Sequence, residues 1–222
     1  MTVFAAASMK ATFTTLGKTF ETSHPGMEVA FNFAGSQILA EQLTQGASAD
    51  VFASADEANM ATVTGAGLNA AASSLFATNQ LIIAVPPDNP ARIMAFADLA
   101  KHGLKLVICA AAVPCGAATV KVGTATGVTL TPVSEEQAVT DVLAKVVAGE
   151  ADAGLVYATD VIAAGEKVRG IAFPEAANGI NSNSIVALKA GPQVALGQEF
   201  VDLVLSADGQ KVLAEAGFGA AE

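Results

Sequence analysis

Thr2-Val3-Phe4-Ala5-Ala6-Ala7 is a short β-branched and aromatic run that ends in small residues. A helical period follows at once, with Met9, Phe13, Leu16 and Phe20 spaced four, three and four apart. Ser8, at the junction, reads as the N-cap of that helix. The arrangement recurs. Val29-Ala30-Phe31-Asn32-Phe33-Ala34 alternates like a strand, Gly35-Ser36 follows, and Ile38, Leu39 and Leu43 continue at helical spacing to a Gly46 C-cap. Ala49-Asp50-Val51-Phe52-Ala53 is a third short strand, and Ser54-Ala55-Asp56 opens a helix carrying Met60 and Val63. A strand that runs directly into a serine-started helix aims several backbone N–H groups at one point. The helix dipole is positive there, so the point suits an anion. The plainer alternative is that each serine only caps its helix. Three such turns in succession predict a parallel sheet with a ligand crevice at the carboxyl ends of its strands.

The pattern changes after residue 79. Asn79 to Val85 reads as a strand stopped by Pro86-Pro87. Phe96 to Lys101 predicts a short helix, Lys105 to Ile108 a strand, and Ala117 to Gly123 a helix behind the Pro114-Cys115-Gly116 turn. Val139, Val142, Leu143, Val146 and Val147 mark an amphipathic helix closed by Gly149. Ala153 to Tyr157 is a strand, Thr159-Asp160 starts a helix, and Val168 to Phe173 and Ser184 to Leu188 read as further strands. Two helices close the chain, over 192–205 and from Ser206 to Gly217. The expectation is an α/β protein of two lobes around a cleft, residues 1–80 with 184–222 forming one and residues 81–183 the other. The crossing strands lie near 79–85 and 180–188.

Composition narrows the function. The 222 residues are 52% hydrophobic and only 14% charged, enough for a large core. A net charge of −10 argues against nucleic acid and against anionic membrane surfaces. An anion site must then work by local dipoles against the overall field, which exposed charges permit because they are screened within about 8–10 Å at physiological salt. No stretch is long and apolar enough for a membrane span. Met1 sits almost on the first strand, so the native leader is expected to be absent from this chain. Cys109 and Cys115 have no third cysteine and no nearby histidine to complete a zinc site. They are either free packed thiols or a bridge across the turn, the latter pointing to an oxidising compartment. His24 and His102 sit in no suggestive motif, and there is no Gly-x-Ser-x-Gly elbow and no phosphate-binding Gly-Lys loop. An enzyme is therefore not expected, because no nucleophile–base pair is assembled. The absence of a basic segment also disfavours the effector domain of a transcription regulator.

Five ordered blocks resemble the molybdate-binding proteins of ATP-driven molybdate importers, over nearly the whole chain. They are Val3-Phe4-Ala5-Ala6-Ala7-Ser8, Phe33-Ala34-Gly35-Ser36, residues 46–56, Val113-Pro114-Cys115-Gly116 and residues 151–160. The resemblance implies a bilobed periplasmic-binding-protein fold that closes on a tetrahedral oxyanion. It also implies an extracytoplasmic, monomeric solute-binding protein that takes molybdate or tungstate, needs no cofactor, and delivers the ion to an ABC permease. A sulfate binder of the same fold is the alternative. The implied ligand residues are Ser8 and Ser36 through hydroxyl and N–H, Cys115 and Val139 through N–H only, and Tyr157 through its phenol, with no direct metal ligand. Without the resemblance, Tyr157 is equally a core tyrosine with a satisfied hydroxyl. Asp50 and Asp56 take structural roles at a turn and a helix start. The chain departs from the family at Ala110-Ala111, where an Asp-Pro is usual, and at Cys115, where the family has a small Ala. A Cys109–Cys115 bridge would pin the turn that presents the Cys115 N–H. Ser134-Glu135-Glu136-Gln137 reads as a capping box, whereas donation by the Val139 N–H requires the helix to begin a turn later, near Gln137.

Overall fold

The computed structural model describes residues 1–221. In chain order it places β1 (Thr2–Ala6), α1 (Lys10–Ser23), β2 (Ala30–Ala34), α2 (Ser36–Thr44), β3 (Val51–Ser54), α3 (Glu57–Gly65), β4 (Ser74–Asn79) and β5 (Leu81–Val85). β6 (Leu106–Cys109), α4 (Pro114–Thr126), β7 (Ser134–Glu136), α5 (Val139–Val147), β8 (Ala153–Tyr157), α6 (Ala158–Ala164) and β9 (Arg169–Ile171) follow. β10 (Asn181–Ala187), α7 (Val194–Leu205) and α8 (Ala207–Glu215) complete the chain. Two compact units result, one of Met1–Thr78 with the chain from Ser182 onward, the other of Asn79–Asn181.

The first unit is built on a sheet of order β2-β1-β3-β10-β4. β1 pairs parallel with β2 and β3, while β10 runs antiparallel to β3, with Ser184 opposite Ser54 and Ala187 opposite Val51. Alternation along these strands separates two cores. Val3, Ala5, Val51, Ala53, Ile185 and Ala187 face one side, where Phe13, Leu16 and Phe20 of α1 and Phe200 and Val204 of α7 pack. Phe4, Phe52 and Val186 face the other, against Leu39 and Leu43 of α2 and Met60 and Val63 of α3. The helical period read from Met9 to Phe20 is thus the buried stripe of α1, each member at most 1% exposed.

Asp50 ties this unit together from beneath. It is fully buried, its Oδ2 accepts the Thr2 N–H at 2.7 Å, and its Oδ1 accepts the Gln193 N–H at 2.7 Å. Its own N–H donates to Thr2 O and its carbonyl accepts from Leu188 N–H, both at 2.8 Å. One residue therefore fixes the starts of β1 and β3 and the segment leading from β10 into α7.

The second unit has the order β7-β6-β8-β5-β9, with β6 parallel to β7 and β8, and β5 antiparallel to β8 and β9. α4 and α5 bury Ala118, Val122, Val142 and Val146 against it. Both sheets are thus mixed, each keeping a parallel set whose strand ends feed helices and adding antiparallel strands.

Three local expectations change. Ser8 is not a helix cap: it is the middle residue of a 3₁₀ turn, Ala7–Met9, and α1 begins at Lys10 with no side-chain cap. Ser134-Glu135-Glu136 is not a capping box but strand β7, because Ser134, Glu135 and Glu136 pair with Val107, Ile108 and Cys109 of β6. The Glu136 side chain is taken by Lys145 and Ser134 instead of by a helix N-terminus. The strand read from Asn79 breaks at Gln80, so that β4 ends in one sheet and β5 begins in the other. Among the described residues no helix is long and apolar enough to cross a membrane.

Candidate functional site

In the first unit, Ser8 and Ser36 stand at the carboxyl ends of neighbouring parallel strands. β1 runs into the turn holding Ser8, whose hydroxyl is buried with no hydrogen-bond partner. β2 runs through Gly35 into α2, of which Ser36 is the first residue, wholly buried. The Gly35 carbonyl accepts from Ile38 and Leu39, and the Ser36 N–H ahead of them belongs to the first helical turn. The Ser36 hydroxyl accepts the Ala55 N–H at 3.0 Å. Asp56 caps α3, its Oδ1 taking the Asn59 N–H at 2.9 Å.

In the second unit, Cys115, Val139 and Tyr157 occupy the corresponding ends of β6, β7 and β8. Pro114 is the first residue of α4 and Cys115 the second, so the Cys115 N–H lies in the first helical turn. Val139 is the first residue of α5, behind an extended Ala138. Its N–H therefore belongs to the unspent set, which settles the conflict with the misread capping box. Tyr157 ends β8, 1% exposed. Asn181 Nδ2 donates to its hydroxyl oxygen at 2.6 Å and to the Pro114 carbonyl at 3.1 Å. The phenol is the acceptor in that pair. Asn181 thus locks Tyr157 to the α4 turn. Sequence reading missed this residue; the signal was the polar run Asn181-Ser182-Asn183-Ser184 inside a strand, which only makes sense if its amides are used.

Cys109 and Cys115 form a disulfide, their Cα atoms 5.7 Å apart. It joins the end of β6 to the first turn of α4, where Gly116 is also pressed against Ala110: a Cβ at Gly116 would collide with the Ala110 carbonyl oxygen. Closing so short a loop stabilises the fold by about 2 kcal/mol through the unfolded chain. The expected result is that Cys109→Ser/Cys115→Ser melts several degrees below the parent protein, and that dithiothreitol lowers the parent's melting temperature while leaving the variant's unchanged.

Asp160 sits at the N-terminus of α6 and accepts the Tyr157 N–H at 2.9 Å. Burial pushes its carboxyl up to about 7, against the pull of that hydrogen bond. Because the folded state holds this proton more tightly than the unfolded chain, its contribution to stability is complete below about pH 4 and is lost as pH rises toward 7. Asp160→Asn keeps an oxygen for the Tyr157 N–H and removes the ionisation. The variant's unfolding free energy at pH 8 should exceed the parent's by about 3–4 kcal/mol, the gap shrinking toward pH 4. Chemical denaturation at the two pH values measures it.

Ser8, Ser36, Cys115, Val139 and Tyr157 offer neutral groups only; none is Lys, Arg or a carboxylate. Among the described residues no group of three or more His, Cys, Asp or Glu side chains could hold a metal ion. Neutral donors at the ends of parallel strands can satisfy an acceptor-only anion without a countercharge.

The molybdate-binding protein ModA of Mycobacterium tuberculosis is 51% identical over 216 residues, 97% of this chain and 83% of the relative. The periplasmic molybdate-binding protein of Azotobacter vinelandii superposes with a TM-score of 0.84 over the full length of both chains at 20% identity. The sulfate-binding protein SubI of M. tuberculosis gives a TM-score of 0.81 at 18% identity, over 98% of this chain and 85% of its own. At these identities the two structures speak to the fold alone. The family model of bacterial extracellular solute-binding proteins matches residues 1–219, and the chain belongs to that family, whose members bind solutes for transport and are not enzymes.

Proposed function

We propose that this protein captures molybdate outside the cytoplasm and hands it to an ABC permease, with Ser8 and Ser36 of one unit and Cys115, Val139 and Tyr157 of the other as its donors. The observation that carries the reading is the 51% identity to a mycobacterial molybdate-binding protein over 97% of the chain. The strand-end donor sets support it chemically. Molybdate and tungstate are dianions that only accept hydrogen bonds at neutral pH, and each bond to a charged group is worth roughly 1.5–3 kcal/mol. Several together sustain micromolar or tighter binding after the costs of association. Tungstate, alike in charge and shape, binds comparably. Monohydrogen phosphate carries a proton that needs an acceptor, and a donor-only set penalises it. The protein acts as a monomer.

Tyr157 is the sole tyrosine and the chain has no tryptophan, so tyrosine emission reports one proposed donor. Molybdate and tungstate should each change that emission saturably at one equivalent, and phosphate should not. Unchanged emission in the presence of molybdate that demonstrably binds would remove Tyr157 from the ligand set.

A further inference from the structure

Asn183 is an anomaly within the first unit. It is fully buried, yet neither its Nδ2 nor its Oδ1 has a hydrogen-bond partner in the protein. A buried carboxamide with both ends unmatched is unfavourable, and such groups in folded proteins call for an explanation. Its position supplies one. β10 runs antiparallel to β3 with Ser184 opposite Ser54, so Asn183 lies one step further, beside Ala55, level with the carboxyl ends of β1 and β3. By strand alternation it shares the face of Ile185 and Ala187, which is also the face of Ala5, Ala53 and Ala55 and the one α1 covers. The chain enters α1 through Ser8, whose hydroxyl is likewise buried and unpartnered. Two orphaned polar side chains, Ser8 and Asn183, thus stand at the same end of one sheet.

We propose that Asn183 is a further oxyanion donor, its Nδ2 turned toward the anion held at the Ser8 strand end. The inference rests on the molybdate reading above. An amide presents Nδ2 or Oδ1 by a flip about its last bond, and an anion selects the flip that offers Nδ2. Oδ1 is then left to accept the hydrogen of a water. The group is neutral, like the other proposed donors, and β10 is the strand that also brings Asn181 to Tyr157.

Calorimetric titration of ligand-free Asn183→Ala and Asn183→Asp, with melting temperatures alongside, tests this. Asn183→Ala should bind molybdate about tenfold to a hundredfold more weakly than the parent, while melting no lower, since an unmatched amide has been removed. Asn183→Asp is isosteric, so it reads the site even if the alanine void unsettles the fold. At pH 8 its carboxylate should weaken binding beyond the alanine variant. Parent-like affinity in both variants would overturn the inference and leave the molybdate reading standing. So would a lowered melting temperature with unchanged affinity. A parent protein that binds sulfate but not molybdate would overturn the molybdate reading alone, and the variants would then be titrated with sulfate. A parent protein that binds no oxyanion overturns both.

Discussion

Gly116→Ala is expected to be among the most damaging single-methyl changes in this chain. The added Cβ would lie inside contact distance of the Ala110 carbonyl oxygen and carbon and of the Cys109 carbonyl oxygen. These are backbone atoms, and they cannot rotate away as a side-chain tip can. The turn is held on both sides: Val113 N–H donates to the Ala110 carbonyl at 2.9 Å, and the disulfide fixes Cys115 to Cys109. α4 must therefore move off the end of β6. Overpacking of this kind costs about 1–3 kcal/mol or more, and here the movement displaces the Cys115 N–H as well. Thermal unfolding should show a loss at the upper end of that range, and molybdate affinity should fall with it. A variant that melts and binds like the parent would mean the turn is looser than the contacts indicate.

Asp50→Ala should be comparably severe, through a different mechanism. The carboxylate is buried and takes two backbone N–H groups, from Thr2 and Gln193. Removing it leaves both donors unmatched in the interior, at roughly 1–3 kcal/mol each. A loss of about 3–5 kcal/mol in unfolding free energy is expected. Asp50→Asn should recover only part of it, because its NH2 group faces one of the two donors. Gly191 and Gly197 approach Asp50 so closely that a Cβ on either would meet its atoms, so neighbouring side chains cannot fill the gap. Urea denaturation of the two variants measures the effect, and a loss under 1 kcal/mol in Asp50→Ala would contradict this account of the residue.

Much of the fold was legible because its signals are local. The strand-to-helix junctions at residues 34–36 and 54–57 announce themselves by alternation that stops at a small residue and gives way to a period near four. The structural role of Asp50 and Asp56 was readable from Asp's preference for turns and caps. What escaped were features decided at long range. Ser134 to Glu136 carries a sound capping-box pattern, and pairing with β6 overrides it. Ser8 looks like a cap because serine at such a junction usually is one; the tight 3₁₀ turn leaves its hydroxyl unused by the helix. β4 was missed because Ser74-Leu75-Phe76-Ala77-Thr78 is short, and Asn79 and Gln80 blur its end into β5. In the candidate site, Ser36, Cys115 and Tyr157 were named from the blocks and Val139 from the family resemblance alone, and each stands at or just past a strand end. Asn181 and Asn183 were not found, because polar residues inside a strand signal use only once the burial of their amides is known.

Neutral donors at the ends of parallel strands are proposed to hold a molybdate dianion. Calorimetric titration of ligand-free protein with molybdate, repeated in excess sulfate and in excess phosphate, tests this most directly. The account predicts one site of micromolar affinity or better, shared with tungstate and displaced by neither competitor. Absence of molybdate binding, or ready displacement by sulfate, would contradict it and would mean that the turn from Ala110 to Cys115 shapes a site for a different anion.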